Sequence, residues 1–395
     1  MKTLSQKDFT NKRAVIRVDF NVPLDENFKV TDNTRIIAAK ETIELVLKGG
    51  GSCVLISHLG RPKGKDAQFS LSHILEEVKQ ILNIPVEFCD DCVGPEAEKA
   101  TEDLKPGSVI LMENLRYYSE ETAGDVDFAS QLSKLGDCYI NDAFGTAHRA
   151  HASTTIIAQF FKEEKYFGKL LENEVTAIKK VMETGEKPVL AILGGAKVSS
   201  KITIIENMLD KIDHLIIGGG MVYTFVKAMG GSVGQSICEH EFCDYALELM
   251  EKAKAKGVQI HLPSDVIIAD DFSNDANKRP CDVYKIPKDW QGLDAGPETL
   301  KQFESVVLES KTILWNGPLG VFEFSSFATG TITLGEHISK STANGAFSLV
   351  GGGDSVAAVK QFGFESKMSY ISTGGGAMLE SLEGKTLPGI AALME

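Results

Sequence analysis

Arginine is concentrated in the first part of the chain. Six of the seven arginines lie within the first 150 residues, although the protein as a whole is acidic, with a formal net charge of −14. The planar guanidinium group binds phosphate or carboxylate through two parallel hydrogen bonds. This distribution predicts an anion-binding site in the N-terminal half. Scattered surface salt bridges are the alternative, and composition alone does not separate the two.

The polar residues of the first half follow short apolar runs. We expect the runs to be strands and the polar side chains to gather at the strand ends, where they suit a small anion that also carries hydroxyl groups. Arg35 lies slightly downstream, where a helix begins. The residues at the strand ends are Asp19, Asn21, His58, Arg61, Arg116 and Arg149.

Glycine clusters take the place of charged side chains in the second half. Glycine lets the backbone approach a phosphate closely, and the N-terminus of a following helix offers free N–H groups. Lys197, Lys201 and Asp354 lie beside these clusters, where lysine can neutralise phosphate and a carboxylate can bind Mg²⁺. The pattern predicts a site for nucleotide polyphosphate. The clusters are Gly194–Gly195, Gly218–Gly220, Gly317, Gly351–Gly353 and Gly374–Gly376.

The common nucleotide-binding motifs are absent from the sequence. Neither GxxxxGK[ST] nor a GxGxxG that opens a helix with an acidic residue downstream is present. A side-chain anion site in one half and a backbone phosphate site in the other favour phosphoryl transfer between two ligands. That reaction needs alignment and charge neutralisation more than covalent help. An acceptor that is already ionised needs no general base, so His58 and His148 need not serve as one.

Strand and helix patterns alternate along the whole chain. The apolar runs are four to six residues long and apolar on both faces, which is typical of buried parallel strands. Helical periodicity lies between them, for example at 70–82, 201–212, 241–257 and 297–310. The alternation predicts a doubly wound α/β fold with two Rossmann-like parallel-sheet domains. The amphipathic stretch at 169–183 predicts a helix that connects them.

Composition excludes several classes of protein. A chain of 395 residues with 43% hydrophobic residues is typical of a globular protein of two or three domains. No apolar run approaches the roughly 18 residues of a transmembrane helix, and the polar N-terminus does not resemble a signal peptide. The acidic charge argues against nucleic-acid binding. The seven cysteines suggest a reducing, cytoplasmic location, and the isolated pair Cys89 and Cys92 is interpreted as structural.

Several long motifs resemble the phosphoglycerate kinase family, in order and over essentially the whole chain. In the first half these motifs are RVDFNVP (17–23), SHLGRP (57–62), ENLR (113–116) and GTAHRAHAS (145–153). In the second half they are GGAKVSSK (194–201), GGGM (218–221), GLDAGP (292–297), WNGPLGVFE (315–323), GGGDS (351–355) and STGGGA (372–377).

The resemblance implies a glycolytic enzyme. It would transfer a phosphoryl group reversibly between 1,3-bisphosphoglycerate and ADP, giving 3-phosphoglycerate and ATP, with Mg²⁺ and with direct in-line transfer on domain closure. A monomer that binds neither nucleic acid nor membrane is expected. The implied domains are a phosphoglycerate-binding domain (1–168), an interdomain helix and hinge (169–184), a nucleotide-binding domain (185–378) and a C-terminal segment that returns to the first domain (379–395).

The same resemblance implies a role for individual residues. Arg35, Lys197, Gly375 and Gly376 would act on the transferring group, and Asp354 would bind the metal. Asp19, Asn21, Arg35, His58, Leu59, Gly60, Arg61, Arg116 and Arg149 would bind the glycerate substrate. The nucleotide would contact Gly195, Lys197, Lys201, Gly219, Gly292, Asn316, Glu323, Gly352, Gly353, Asp354 and Ser355.

One position departs from the family pattern. The family commonly has aspartate where this chain has Ser200, which puts in doubt any support of the metal from that position. Two alternatives remain at this stage. A non-catalytic nucleotide-binding protein on the same fold would be expected to lose Arg35 or Lys197, and both are present. An ATP-dependent ligase that forms an acyl phosphate would need a third site, for which the sequence gives no sign.

Overall fold

The structure is a computed structural model that describes residues 2–4 and 7–395. The chain divides into two compact units, one made of residues 1–176 and 386–395 and the other of residues 177–385. Both are built around a parallel sheet with helices. This confirms the prediction of two parallel-sheet α/β domains.

The first unit contains a six-stranded parallel sheet in the order β3-β4-β2-β1-β5-β6. Its strands are β1 (Arg13–Val18), β2 (Ser52–Ile56), β3 (Glu87–Cys89), β4 (Val109–Met112), β5 (Cys138–Asp142) and β6 (Lys165–Phe167). Its helices are α1 (Thr34–Lys48), α2 (Leu75–Leu82), α3 (Pro95–Glu102), α4 (Ser119–Ala123) and α5 (Val126–Ser133). Helix α6 (Lys169–Met182) follows β6 in the chain.

The second unit has its own six-stranded parallel sheet, in the order β10-β8-β7-β15-β16-β17. Among its described residues, the second unit contains eleven strands in all, some of them outside this sheet. The first four along the chain are β7 (Val189–Leu193), β8 (His214–Ile217), β9 (Ser232–Val233) and β10 (Gln259–His261). The next are β11 (Asp265–Ala269), β12 (Lys278–Asp282), β13 (Lys285–Ile286) and β14 (Gln291–Ala295). The last are β15 (Thr312–Asn316), β16 (Phe347–Val350) and β17 (Tyr370–Ile371).

The helices of the second unit complete the alternation. They are α7 (Ile202–Met208), α8 (Val222–Ala228), α9 (Cys243–Ala255), α10 (Pro297–Glu309), α11 (Thr329–Ala343), α12 (Gly353–Gln361) and α13 (Gly375–Leu382). The chain ends in α14 (Pro388–Met394), which belongs to the first unit. There the N–H of Gly389 donates to the carbonyl of Ala147 over 2.9 Å. Among the described residues, no helix is both long and apolar enough to cross a membrane.

The central strands are buried on both faces. Every residue of β2, β4, β5, β7 and β15 is buried, as expected where helices cover both sides of a parallel sheet. Parallel neighbours place all their carboxyl ends at one edge. In the first unit β4, β2, β1 and β5 are neighbours, and in the second unit β8, β7, β15, β16 and β17 are neighbours. Each edge therefore collects the residues that follow several strands.

A small antiparallel sheet was not expected from the sequence. Strands β12, β11 and β14 form it in the second unit. The segment Lys278–Asp282 is polar, contains a proline and is exposed at four of its five positions. Proline is tolerated at a sheet edge because one side of an edge strand needs no ladder hydrogen bonds. The sequence of an exposed edge strand therefore resembles that of a loop.

Candidate functional site

Four neighbouring strands of the first unit place polar residues around one cavity of about 220 Å³. The turn after β1 contributes Asp19 and Asn21, and the turn after β2 contributes His58 and Gly60. All the strand-end residues predicted from the sequence line this cavity, as does Arg35. The complete lining is Asp19, Asn21, Arg35, His58, Gly60, Arg61, Arg116, Gly145, Thr146, His148 and Arg149.

Arg35 is positioned by the turn after β1. Its Nη1 forms an ion pair with Oδ2 of Asp19 at 3.1 Å and donates to the carbonyl of Asn21 at 3.0 Å. One nitrogen makes both contacts, which leaves the other N–H groups of the guanidinium for a ligand. The second carboxylate oxygen of Asp19, Oδ1, is buried and has no hydrogen-bond partner in the described part of the chain. A buried oxygen of this kind calls for a donor, such as a ligand hydroxyl.

The turn after β2 is fixed by hydrogen bonds to its backbone. The N–H of Gly60 donates to Oδ1 of Asn21 over 2.8 Å, and the carbonyl of Gly60 accepts from Nη1 of Arg116 over 2.8 Å. Leu59 is buried, and its carbonyl accepts from Nδ2 of Asn114. Leu59 does not line the cavity of the arginines but a neighbouring one.

Four arginines bring positive charge to this cavity, namely Arg35, Arg61, Arg116 and Arg149. Burial and the neighbouring Arg17 lower the pKa of Arg116 to about 10, so the group remains cationic at neutral pH. Burial, followed by the charges of Arg17, Arg116 and Arg35, holds the pKa of His58 well below its usual range. Burial and the charge of Arg116 also lower the pKa of the nearby His151 to about 4. Both imidazoles are therefore neutral at pH 7.

A buried ionic network behind the cavity was missed by the sequence analysis. Arg17 and Glu121 are fully buried, and Nη2 of Arg17 lies 4.0 Å from Oε1 of Glu121. The hydroxyl and N–H of Ser153 both donate to that carboxylate, at 2.6 and 2.9 Å. Nη2 of Arg17 also contacts Nδ1 of His58 at 3.1 Å. An arginine inside an otherwise apolar strand was the available signal.

In the second unit, the turns after three neighbouring strands pack directly on one another. A Cβ atom on Gly194 would lie 2.1 Å from the carbonyl oxygen of Pro318, and one on Gly317 would lie 2.3 Å from the backbone of Gly194. A Cβ on Gly219 would lie 2.7 Å from the nitrogen of Gly195. Glycine at 194, 219 and 317 is therefore required by packing between turns.

Other glycines of the second unit face open space. A Cβ added at Gly195 or Gly353 would meet nothing within 4 Å, and one at Gly375 would touch only the backbone of Gly352 and Gly353, at 3.8–4.0 Å. Gly353 and Gly375 are the first residues of α12 and α13, so two helix N-termini lie side by side. Unpaired N–H groups and helix dipoles make such a place favourable for an anion. Gly376 is exposed in the first turn of α13.

The polar residues around α12 form a linked set. Nζ of Lys201 donates to Oδ1 of Asn316, and Nδ2 of Asn316 donates to the carbonyl of Gly351 over 2.9 Å. Burial lowers the pKa of Lys201, while the charge of Asp354 opposes this effect. The hydroxyl of Ser355 accepts from the N–H of Gly317 at 2.5 Å, so this side chain supports the turn after β15.

Asp354 has the chemistry that a magnesium site needs. Its carboxylate is exposed in the first turn of α12 and close enough to Lys201 to affect the pKa of that lysine. Mg²⁺ in nucleotide sites keeps several waters and takes only one or two protein carboxylates, together with phosphate oxygens. A single exposed carboxylate beside an anion-binding surface fits that requirement.

The remaining candidates lie on the surface or in the core. Lys197 is exposed on the loop between β7 and α7, and Glu323 is exposed on the loop after β15. Gly292 is buried in β14, where the side chain of Tyr223 fills the space that a side chain would take, with its hydroxyl oxygen 1.9 Å from the Cβ position. Ser200 is exposed and its hydroxyl donates to the carbonyl of Lys197 over 2.8 Å.

Comparison with known proteins agrees with these features. Residues 4–385 match the family Phosphoglycerate kinase. The chain is 52% identical to the phosphoglycerate kinase of Porphyromonas gingivalis, with 99% of both chains covered. It is 49% identical to the cytosolic phosphoglycerate kinase of Nicotiana tabacum, covering 99% of this chain and 97% of that one.

The solved structures lead to the same family. The phosphoglycerate kinase of Coxiella burnetii superposes with a TM-score of 0.91 at 40% identity, over 99% of this chain and 98% of that one. Matches of this length and identity cover both units and both clusters of site residues. The chain therefore belongs to the phosphoglycerate kinase family of enzymes.

Proposed function

We propose that this enzyme transfers a phosphoryl group reversibly between 1,3-bisphosphoglycerate and ADP, giving 3-phosphoglycerate and ATP. The observation that carries the substrate assignment is the cavity of the first unit. It combines four arginines with a buried carboxylate oxygen, Oδ1 of Asp19, that has no partner among the described residues. A phosphorylated hydroxy acid supplies anions for the arginines and a hydroxyl for Asp19.

The first unit would bind the three-carbon substrate through distinct groups. Arg61, Arg116 and Arg149 would hold the phosphate that is not transferred, because all three line the cavity and also a second one of about 710 Å³ beside it. Asp19 would accept from the hydroxyl at carbon 2. Arg35, which Asp19 and Asn21 hold in place, would meet the carboxylate end and the transferring group.

The second unit would bind the nucleotide through backbone groups and two lysines. The open glycines Gly195, Gly353 and Gly375 let phosphate oxygens approach N–H groups, and Lys201 adds positive charge. Exposed Lys197 would follow the phosphoryl group as it moves. Asp354 would hold Mg²⁺, which when bound neutralises phosphate charge. Roles in nucleotide binding are also proposed for Gly219, Gly292, Asn316, Glu323, Gly352 and Ser355, and Gly376 would lie near the transferred group.

No general base is required by this reaction. The acceptor is a carboxylate, which is already ionised at neutral pH and can attack directly. Positively charged groups placed around the negatively charged phosphoryl group are the main catalytic contribution, as expected for phosphoryl transfer. His58 is neutral and is best used as a hydrogen-bond donor to the substrate.

In-line transfer also requires that the two ligands meet at roughly 3–3.5 Å between the reacting atoms. We propose that the two domains close when both ligands are bound, and that water is thereby excluded. Small-angle scattering measures this as the radius of gyration. The complex with 3-phosphoglycerate and a non-hydrolysable ATP analogue should give the smallest value. An unliganded protein that is equally compact would contradict the proposal.

We also propose that the enzyme is a monomer of the cytosol. The cytosolic relative from Nicotiana tabacum supports the compartment. Light scattering on the purified chain tests the oligomeric state, since a monomer has a mass of 42.8 kDa.

An analogue of the substrate tests the central assignment. Wild type and Asp19→Ala would be compared with 3-phosphoglycerate and with its 2-deoxy analogue, using ATP and a coupled assay for ADP. Wild type should prefer the natural substrate by roughly tenfold or more in kcat/KM, because the analogue leaves Asp19 without its donor. Asp19→Ala should lose this preference. Nucleotide binding without turnover would instead support the non-catalytic alternative.

A further inference from the structure

Two thiols and one imidazole lie together at the start of helix α9, apart from the residues assigned above. Cys238 and His240 belong to the segment that leads into α9, and Cys243 is its first residue. Their ligand atoms all lie within 4.8 Å of one another. Among the described residues, no other three side chains of His, Cys, Asp or Glu bring their ligand atoms so close together. We call these three residues the Cys–His cluster.

The geometry is close to that of a tetrahedral metal site. Metal–sulfur bonds of about 2.3 Å and metal–nitrogen bonds of about 2.0–2.1 Å place neighbouring ligand atoms about 3.5–3.8 Å apart. Sγ of Cys238 lies 3.9 Å from Nδ1 of His240. Cys238 and Cys243 are half-buried while His240 is exposed, so a fourth position can be filled by water.

Helix α8 holds the cluster in place. Sγ of Cys238 lies 3.8 Å from the carbonyl of Tyr223, and Sγ of Cys243 lies 3.8 Å from the carbonyl of Thr224. The N–H of Glu239 donates to the hydroxyl of Thr224 over 3.0 Å. Both thiols thus contact neighbouring carbonyls of the same short helix, which keeps them close enough to share an ion.

We propose that the Cys–His cluster binds one thiophilic divalent cation of the zinc type. Two sulfur ligands and one imidazole select such a metal over Mg²⁺, which prefers oxygen. The site is therefore chemically distinct from the carboxylate of Asp354. It stands whether or not the proposed phosphoryl transfer is correct.

The cluster is linked to the loop that carries Lys197. Glu239 lies in sequence between two of the ligands, and its carboxylate accepts from the hydroxyl and the N–H of Ser199, at 2.6 and 3.0 Å. Metal binding would restrict Glu239 and, through Ser199, this loop. An effect on nucleotide affinity follows, and this part of the inference rests on the proposed function.

Cobalt titration of the full chain under a phosphine reductant tests the site directly. Wild type should bind one Co²⁺ with the near-ultraviolet charge-transfer absorption of a cobalt–thiolate bond, and Zn²⁺ should abolish the absorption. Cys238→Ser and Cys243→Ser should each weaken binding by about tenfold or more. His240→Asn, at an exposed position, should bind more weakly but keep the charge-transfer band.

Cys281→Ser is the matched control, because Cys281 is a half-buried cysteine of the same unit outside the cluster. It should titrate like wild type. Absence of the thiolate band in wild type, or an unchanged titration of Cys238→Ser, would overturn the proposal. A Cys238–Cys243 disulfide that survives the reductant and prevents binding would overturn it as well.

Calorimetry with ADP and constant Mg²⁺ tests the link to the loop. Zinc should change the ADP dissociation constant of wild type by about fivefold or more and leave that of Cys243→Ser unchanged. Equal ADP affinity of wild type with and without zinc would overturn the link, while the cobalt titration would still decide on the site.

Discussion

Nη2 of Arg17 donates a hydrogen bond to Nδ1 of His58 across 3.1 Å, and both side chains are buried, with His58 in the lining of the anion cavity and Arg17 outside that lining. A guanidinium group can only donate, so Nδ1 of His58 must be an acceptor and the ring proton must lie on Nε2. The same contact explains part of the low pKa of this imidazole, after the larger effect of burial. His58 is therefore fixed as a neutral donor.

This arrangement predicts how substrate binding depends on pH. Because the pKa of His58 lies well below 6.5, the ring is already neutral throughout the pH range of a normal activity assay. The KM for 3-phosphoglycerate should therefore show no titration of His58 between about pH 6 and 8. His58→Gln, which keeps a donor, should raise this KM less than His58→Phe. An inflection in the wild-type KM that is lost in His58→Gln would contradict the assignment.

The buried pair of Arg17 and Glu121 predicts strong coupling in stability. Arg17→Met leaves the Glu121 carboxylate buried without a compensating charge, which should cost about 3–5 kcal/mol. Adding Glu121→Gln removes that charge, so the double variant should be more stable than Arg17→Met alone. Wild type, Arg17→Met, Glu121→Gln and the double variant form a double-mutant cycle, and denaturant unfolding of these four proteins measures the coupling free energy. Additive changes would show that the two groups do not compensate each other.

Arg35 is predicted to need its guanidinium group and not only its charge. Nη1 is held by Asp19 and Asn21, and a lysine that made these contacts would have little left to offer a ligand. Arg35→Lys should therefore lower kcat by about tenfold or more with a smaller change in KM. The control is Arg13→Lys, since Arg13 pairs with Asp137 on the surface. Equal kcat values for the two variants would exclude Arg35 from catalysis.

The sequence predicted the strand ends well because their residues act locally. A short apolar run followed by Asp19 or His58 indicates both the strand and the group at its end, and parallel pairing brings such groups together. Arg17 was not predicted as a positioning residue. Its partners Glu121 and Ser153 are more than one hundred residues away in the chain, so only the fold shows that they meet.

The glycine clusters show a different limit of prediction from the sequence. From the sequence, every glycine after a strand has the same two interpretations, namely ligand approach or tight packing. The structure separates them, because Gly194 and Gly317 pack on each other while Gly195 and Gly353 face open space. The distinction depends on contacts between turns of neighbouring strands. Periodicity within one segment carries no information about such contacts.

The buried carboxyl group of Asp142 should make the free energy of unfolding depend on pH. Full burial raises the pKa of this carboxyl to about 7, although the N–H of Leu171 donates to it over 3.2 Å. The folded form thus retains a proton that the unfolded chain releases at about pH 4. Stability from this group should fall as pH rises from about 4 to 7 and then level off. Asp142→Asn should flatten that decline in thermal unfolding, and a parallel decline in both proteins would exclude Asp142 as its source.

Two substitutions at Ser200 can separate the effect of its hydroxyl hydrogen bond from the effect of a carboxylate at this position. Its hydroxyl donates to the carbonyl of Lys197 and closes the loop, and neither alanine nor ionised aspartate can make that bond. Ser200→Ala should therefore raise the KM for ADP by about two- to tenfold, the range expected for one lost hydrogen bond.

Ser200→Asp loses the same bond but adds the carboxylate that is common in the family. Relative to Ser200→Ala, it should reach half-maximal activity at a lower Mg²⁺ concentration, because a second carboxylate attracts the cation or its waters. Titration of Mg²⁺ at fixed ADP gives the comparison, with Ser200→Ala as the reference and not wild type, since both variants have the same loosened loop. Superimposable Mg²⁺ curves for the two variants would mean that a carboxylate at position 200 does not reach the metal.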